Sequence, residues 1–380
     1  MRFPNRIEAL DCSWLTRVLS RHGLPPCTRI SRFTVEPIDS GYTAKLCRIL
    51  LEFDAEPGSA PRSLVAKFHS DSASIRATFE ALHIYAKEVR FYQFVESGTG
   101  LPIPTCYAAE YDNASGDFVL LLEDLSAARP GSWEEALDDV RTAIPQLAKI
   151  HARYWNDLQL VQADWTVKPF ADEISQLNRA DWKRYLDKVK AEYRDQWPEA
   201  VWQHCDQVYE HWDALMRFMD GESYSLVHTD AHLGQMFFPS TDLPRFVLFD
   251  WQYPSKALAA EDLCHLMVNE LGPDERREHE QALIDLYYQS LLHEGVTDFS
   301  RERLWLHCRL GLIWLILMYL RTMAVPDLLQ TLKDEAEAAG ERWQAWVFDQ
   351  LGPAITDWNL AEAIDQAVAE AVAVQQPRRY

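Results

Sequence analysis

The stretch Ser225–Phe238, SLVHTDAHLGQMFF, decides the reading of this chain. An apolar run enters a turn carrying His228, Asp230, His232 and Gln235, and a second apolar run leaves it. Such a stem presents polar side chains from a hairpin-like loop, and loops on a rigid scaffold are where chemistry is placed. Twenty residues beyond Asp230, the apolar run FVLFDWQ (Phe246 to Gln252) reads as a strand ending in the acid Asp250. Taken singly, HxDxH is also what a polar turn with two satisfied histidines looks like, and Asp250 also reads as a β-turn cap. The pair at this interval points to a site.

Phosphoryl transfer asks little covalent work of a protein: a positioned nucleophile, metal ions on the phosphates and a cation to hold them. Against the protein-kinase catalytic-loop pattern H-R-D-L-x-x-x-N, His228 and Asp230 fall in register and Gln235 stands where the pattern has Asn. Asp230 is then the residue that accepts the proton of an acceptor hydroxyl or orients that hydroxyl. Gln235 offers an amide oxygen to Mg²⁺, and His232, between them, is placed to touch the transferring phosphate. Asp250-Trp251-Gln252 stands for Asp-Phe-Gly, whose Asp chelates Mg²⁺.

Upstream, Lys67 sits inside the apolar run SLVAKF (Ser63–Phe68). A lysine buried in mid-strand is costly without a partner. Glu88 in KEVRFY is the natural one and Glu80 the alternative. With its partner Lys67 would hold the α- and β-phosphates, unless it sits at an edge and snorkels. Ser40-Gly41-Tyr42-Thr43 has a single glycine, but its backbone amides are candidates to cap phosphates. LLLEDL (Leu120–Leu125) reads as a hinge strand whose backbone near Glu123 to Leu125 meets adenine.

The order of elements fits this chemistry. Asn5 to Gly23 has helical period; Ile30 to Ile38, Lys45 to Phe53 and Ser63 to Phe68 read as strands; Ser74 to Val95 reads as a helix; Tyr107 to Tyr111 and Phe118 to Leu122 read as a hairpin. From Gly131 the pattern is mostly helical, interrupted by the strand-rich island Ser225 to Asp250. The expected fold is α+β and bilobal, protein-kinase-like, with a small β-rich N-terminal lobe over residues 1–124 and a large, mostly helical C-terminal lobe over 125–380.

Bulk composition sets limits. The chain has 380 residues, 48% hydrophobic and 25% charged, within the globular range. The seven cysteines show no CxxC pair or metal spacing, which suits a reducing, cytoplasmic setting. A net charge of −21 disfavours nucleic-acid binding. The most apolar stretch, Leu310–Leu320, is too short to span a bilayer and reads as a core helix, so no membrane partner is expected. The acids Glu261, Glu270, Asp274 and Glu275 could meet a cationic acceptor or line solvated helix ends.

These residues together resemble the aminoglycoside phosphotransferase-type small-molecule kinases, in their choline and ecdysteroid kinase-like branch. The resembling blocks are VEPIDSGYTAKLCRI, SLVAKF, KEVRFY, VLLLEDLS, LAKIHARYW from Leu147 to Trp155, LVHTDAHLGQMFF, and FDWQ followed by AEDLCHLM. The resemblance implies Mg·ATP as donor and a hydroxylated small molecule as acceptor. It matches Asp230 to the catalytic Asp, Asp250 to the metal Asp, and Lys67 with Glu88 to the phosphate-binding pair. Asp262 matches the acid that steadies the catalytic loop. Gln235 departs from the family's Asn, which keeps open an alternative: a kinase-fold nucleotide- or ligand-binding protein with lost or weak catalysis. Asp262 follows Asp250 by only twelve positions, too few for a protein kinase's activation segment.

Overall fold

Five runs rich in apolar residues, Ile30–Ile38 (β1), Ala44–Phe53 (β2), Ser63–His69 (β3), Cys106–Tyr111 (β4) and Phe118–Glu123 (β5), form one antiparallel sheet of order β1-β2-β3-β5-β4. The structure is a computed structural model that describes residues 3–38, 44–95, 100–166 and 172–375. Side chains alternate across a strand. In β3 this sends Leu64, Ala66 and Phe68 into a core shared with Trp14, Leu15, Val18 and Leu19 of helix α1 (Cys12–Leu19). Lys67 therefore points to the opposite face.

The N-terminal helix expected over Asn5 to Gly23 is shorter. A 3₁₀ turn at Ile7–Ala9 ends in an extended Leu10, and α1 begins afresh with the Asp11 carboxylate capping the Trp14 amide at 2.8 Å. The helix expected over Ser74 to Val95 is likewise two, Ala73–Ala81 (α2) and Ile84–Phe94 (α3), broken at His83 in the left-handed region at φ 55°. In both cases the apolar period runs through a break that backbone geometry makes.

Five short strands follow: Arg129–Pro130 (β6), Ser225–Val227 (β7), Met236–Phe238 (β8), Val247–Leu248 (β9) and Ser255–Ala257 (β10). The chain divides into two units by its internal contacts: Met1–Pro130 with Gln235–Pro254, and Gly131–Gly234 with Ser255–Tyr380. The first holds the large sheet, α1–α3 and a second antiparallel sheet of order β6-β8-β9. The second holds the pair β7–β10 and the helices Ala136–Arg153 (α4), Leu158–Gln162 (α5), Asp172–Tyr193 (α6), Glu199–Glu210 (α7), Trp212–Asp220 (α8), Ala260–Glu270 (α9), Pro273–His293 (α10), Arg301–Ala324 (α11), Pro326–Ala338 (α12), Gln350–Asp357 (α13) and Leu360–Gln375 (α14).

Helix α11 contains the apolar stretch Leu310–Leu320. At 24 residues it is long and apolar enough to cross a membrane, but 72% of its apolar window is buried within the protein, as a core helix requires. Gly311 lets it approach α9: a Cβ there would meet the Cys264 Cβ at 3.1 Å and the Glu261 Cα at 3.4 Å. Close approach of this kind is the use of a helical glycine. It sets the height of α9, which carries Asp262 and His265. Trp182, Trp202 and Trp212 are fully buried in the core of this unit.

Candidate active site

The polar centre of the first unit is Lys67. It lies on inner strand β3, paired with Leu46 of β2 and Leu120 of β5, and is 5% exposed. Its Nζ bonds Glu88 of α3 at 2.8–2.9 Å and the Asp250 carboxylate at 2.7 Å. Burial pulls Lys67 toward the neutral form, but the carboxylates of Asp250 and Glu88 outweigh it and hold the ammonium above its ordinary pKa. Burial pushes Glu88 up to about 7 against the pull of Lys67. Glu80, the alternative partner, bonds Arg76 instead.

Asp250 follows β9 in the left-handed region at φ 63°, a conformation uncommon outside glycine that Asp tolerates better than most side chains. Trp251 is fully buried. Its indole N–H donates to the Leu248 carbonyl at 3.0 Å, and its ring stacks flat on Phe91 of α3 at 4.2 Å. Phe91 lies three residues beyond Glu88, so this stack ties the Asp250 turn to the helix face that carries Glu88. The Phe249 N–H donates to the Gln235 carbonyl at 3.0 Å, bringing together the segments that bear Gln235 and Asp250.

In the second unit the loop after β7 hangs on Asp262. Its two carboxylate oxygens accept the backbone N–H groups of His228 at 2.7 Å and Thr229 at 2.8 Å, and His151 Nε2 lies 3.1 Å away. His151 Nδ1 in turn lies 2.6 Å from the Tyr287 hydroxyl. Burial alone would raise the Asp262 pKa; His151, His228 and the loop amide overcome it and hold the carboxyl below its usual range. Thr229 sits at φ 68°, a strained place for a β-branched residue, and the Trp314 indole N–H holds its carbonyl at 3.2 Å.

Asp230 follows, its side chain 29% exposed, with His265 Nε2 of α9 at 3.7 Å from Oδ1. The rings of His232 and His265 lie near-parallel, 6.4 Å apart. Gly234 makes room for His232, since a Cβ there would come within 2.9 Å of the imidazole. Glu270 accepts the Leu233 N–H at 3.1 Å and the Trp133 indole N–H at 2.7 Å.

The expected residues thus fall into two groups. Lys67, Glu88 and Asp250 are brought together in the first unit, with Gln235 just ahead of β8 and its carbonyl bonded to the Phe249 N–H next to Asp250; Asp230 and His232 lie on the loop fixed by Asp262 in the second. The Glu123 N–H donates to the Thr105 carbonyl at 2.9 Å and its carboxylate takes the Thr105 amide and Arg245, while Leu125 is buried with its carbonyl accepting from Ala128. Ser40, Gly41, Tyr42 and Thr43 lie outside the described residues. Glu261 and Glu270 are buried rather than lining a solvated helix end. His265 and His151 carry no signal in the sequence beyond lying inside the resembling blocks, and Tyr287 carries none.

Mg²⁺ takes oxygen ligands, with one or two carboxylates completed by phosphates and water. Asp250 supplies a partly exposed carboxylate and Gln235 an amide oxygen, a donor set that suits such a hard ion. Among the described residues no group of three or more His, Cys, Asp or Glu could hold a metal by itself, so a cation here would need ligand oxygens as well.

The match to the Ecdysteroid kinase-like family model runs over residues 39–296, more than half of the chain. No curated protein matches the sequence. Among solved structures, choline kinase from Cryptosporidium parvum is 12% identical with a TM-score of 0.52, covering 95% of this chain and 98% of that one. Choline kinase LicA from Streptococcus pneumoniae is 15% identical at a TM-score of 0.45, covering 93% and 96%. Macrolide 2′-phosphotransferase MphH from Brachybacterium faecium is 16% identical at 0.42, covering 97% and 99%. The first of these likenesses bears on the fold, which is the α+β, bilobal protein-kinase-like one that the order of elements predicts. The chain belongs to the ecdysteroid kinase-like family.

Proposed function

We propose that this protein is a small-molecule kinase, an ATP-dependent O-phosphotransferase that moves the γ-phosphate of Mg·ATP to a hydroxyl of an aminoglycoside-, choline- or steroid-like acceptor. The observation that carries the reading is Lys67, buried in mid-sheet and held within 2.9 Å of both Glu88 and Asp250. A buried ion cluster adds little to stability over an apolar core, so its presence is better explained by a ligand that needs it. In this reading Lys67, aimed by Glu88, binds the α- and β-phosphates. Asp250 and Gln235 hold Mg²⁺, which when bound neutralises charge on the β- and γ-phosphates.

Asp230 accepts the proton of the acceptor hydroxyl as that oxygen bonds to the γ-phosphorus. The bond from phosphorus to the β-phosphate bridging oxygen breaks, and ADP leaves with the electron pair. His232, two residues on, is assigned to contact the transferring phosphate. The seven free cysteines accord with a reducing, cytoplasmic setting.

Thermal unfolding with ATP, with and without Mg²⁺, tests the donor site. At about one hundred times Kd the ligand stabilises by about 2.7 kcal/mol, a shift of several degrees. A Mg²⁺-dependent shift, followed by ADP release in the presence of hydroxylated acceptors, is expected. No shift at millimolar Mg·ATP sinks the reading. A shift without turnover on any acceptor favours the binding protein, with Gln235 the first suspect.

A further inference from the structure

We infer that His265 is a positioning residue for Asp230: its Nε2–H holds one carboxylate oxygen, so that the other faces the acceptor hydroxyl. This rests on the reading of Asp230 as the proton acceptor. Three observations in the second unit carry it. His265 is 3% exposed, on helix α9 three residues beyond the Asp262 that suspends the loop. Its Nε2 is the atom aimed at the loop, 3.7 Å from Asp230 Oδ1. Its Nδ1 is buried and has no hydrogen-bond partner among the described residues.

The last point fixes the tautomer. A neutral imidazole carries one N–H. On Nδ1 that hydrogen would be a buried, unsatisfied donor; on Nε2 it points at a carboxylate. The separation of 3.7 Å is longer than a hydrogen bond, and catalytic hydrogen bonds are commonly loose before the reacting complex forms. The charged and titratable groups that act on the ring are Asp230, His232, Asp262 and His228; burial outweighs them and keeps it neutral, pushing its pKa down to about 4. A neutral donor orients the carboxylate without pairing away its charge, which a proton acceptor requires. His232, on the same loop as Asp230, lies near-parallel to the His265 ring at 6.4 Å.

The test uses the full chain with selectively ¹⁵N-labelled histidine, the His265 signals being assigned by their loss in His265→Gln. The expected tautomer is Nε2–H, with its resonances moving in Asp230→Asn. A proton on Nδ1, or no response to Asp230→Asn, overturns the inference whether or not turnover is measurable.

Kinetics supply the second arm, as ADP release from Mg·ATP with water as phosphoryl acceptor. His265→Phe should lower kcat by roughly 10- to 100-fold with KM for ATP within about twofold, the signature of a mis-set reacting group. His265→Gln, which restores an amide N–H near the Nε2 position, should recover most of it. Wild-type kcat in His265→Phe overturns the role, as does an equal loss in both variants with a matching fall in Tm, which would mean packing alone. Unchanged turnover in Asp230→Asn is a different result. It would remove the proton-acceptor reading itself while leaving the tautomer measurement standing.

Discussion

The two polar clusters are wired in opposite ways. In the first unit Lys67, Glu88 and Asp250 are joined charge to charge, side chain to side chain. In the second, Asp262 joins a charge to backbone, holding the His228 and Thr229 amides so that Asp230 is presented on a fixed loop. Side-chain ion pairs can change partner when a phosphate or a cation arrives; a carboxylate clamped on two amides can only hold. The difference matches the assigned tasks, since a donor site must open to a ligand and a proton acceptor must stay where it is.

Substitutions can break or sharpen that contrast. The largest effect should come from Asp230→Asn, which removes the proposed proton acceptor and leaves the Asp262 clamp intact. Turnover should fall on the order of 10⁴-fold while the Mg·ATP-dependent shift in Tm persists. Asp262→Ala should be the most damaging to stability. It strands two buried amides and His151, and denaturant unfolding should report a loss of roughly 3–5 kcal/mol. An Asp262→Ala protein as stable as wild type would mean that the loop is held elsewhere.

The pH dependence of stability comes next. His265 is depressed from the ordinary histidine value to about 4 by burial. A group with a lowered folded pKa binds its proton first in the unfolded chain. Its contribution is therefore full above about pH 6.5 and is lost as the pH falls toward 4, about 1.4 kcal/mol per unit and roughly 3 kcal/mol in all. Unfolding free energies at pH 7 and 4.5 should thus diverge less in His265→Gln than in wild type; parallel curves would mean that the ring is already charged or exposed.

The smallest loss is expected for Lys67→Met. Glu88, already pushed to about 7, can take up a proton once its partner is gone, and Asp250 reaches solvent. The cost should be about 1–2 kcal/mol, with Mg·ATP binding gone. A loss larger than that of Asp262→Ala would reverse the contrast.

How far the sequence carries depends on what each feature requires. Lys67 is legible because a charge inside an apolar run has few reasons to be there, and Glu88 because that charge needs a partner; Asp230 and Asp250 are proposed from the spacing of their motifs. Local periodicity reads β1 to β5 nearly residue by residue. It fails at His83 and at Leu10, where a break leaves the apolar stripe unbroken and only backbone geometry reports it. Glu270 could be noticed as an acid, but not that its oxygens meet Trp133 and Leu233, residues remote in sequence.

Sequence by itself determined the succession of a strand-rich part and a helical part, the pairing of Lys67 with Glu88, and the loop on which Asp230 is carried, since each follows from periodicity, spacing and the cost of an unpartnered charge. Tertiary structure alone decided that Gln235–Pro254 packs with the first 130 residues, that Trp251 stacks on Phe91, and that His265 faces Asp230. The physical reason is common to all three: they depend on which surfaces meet after the chain has turned back on itself, and no local pattern of residues records that.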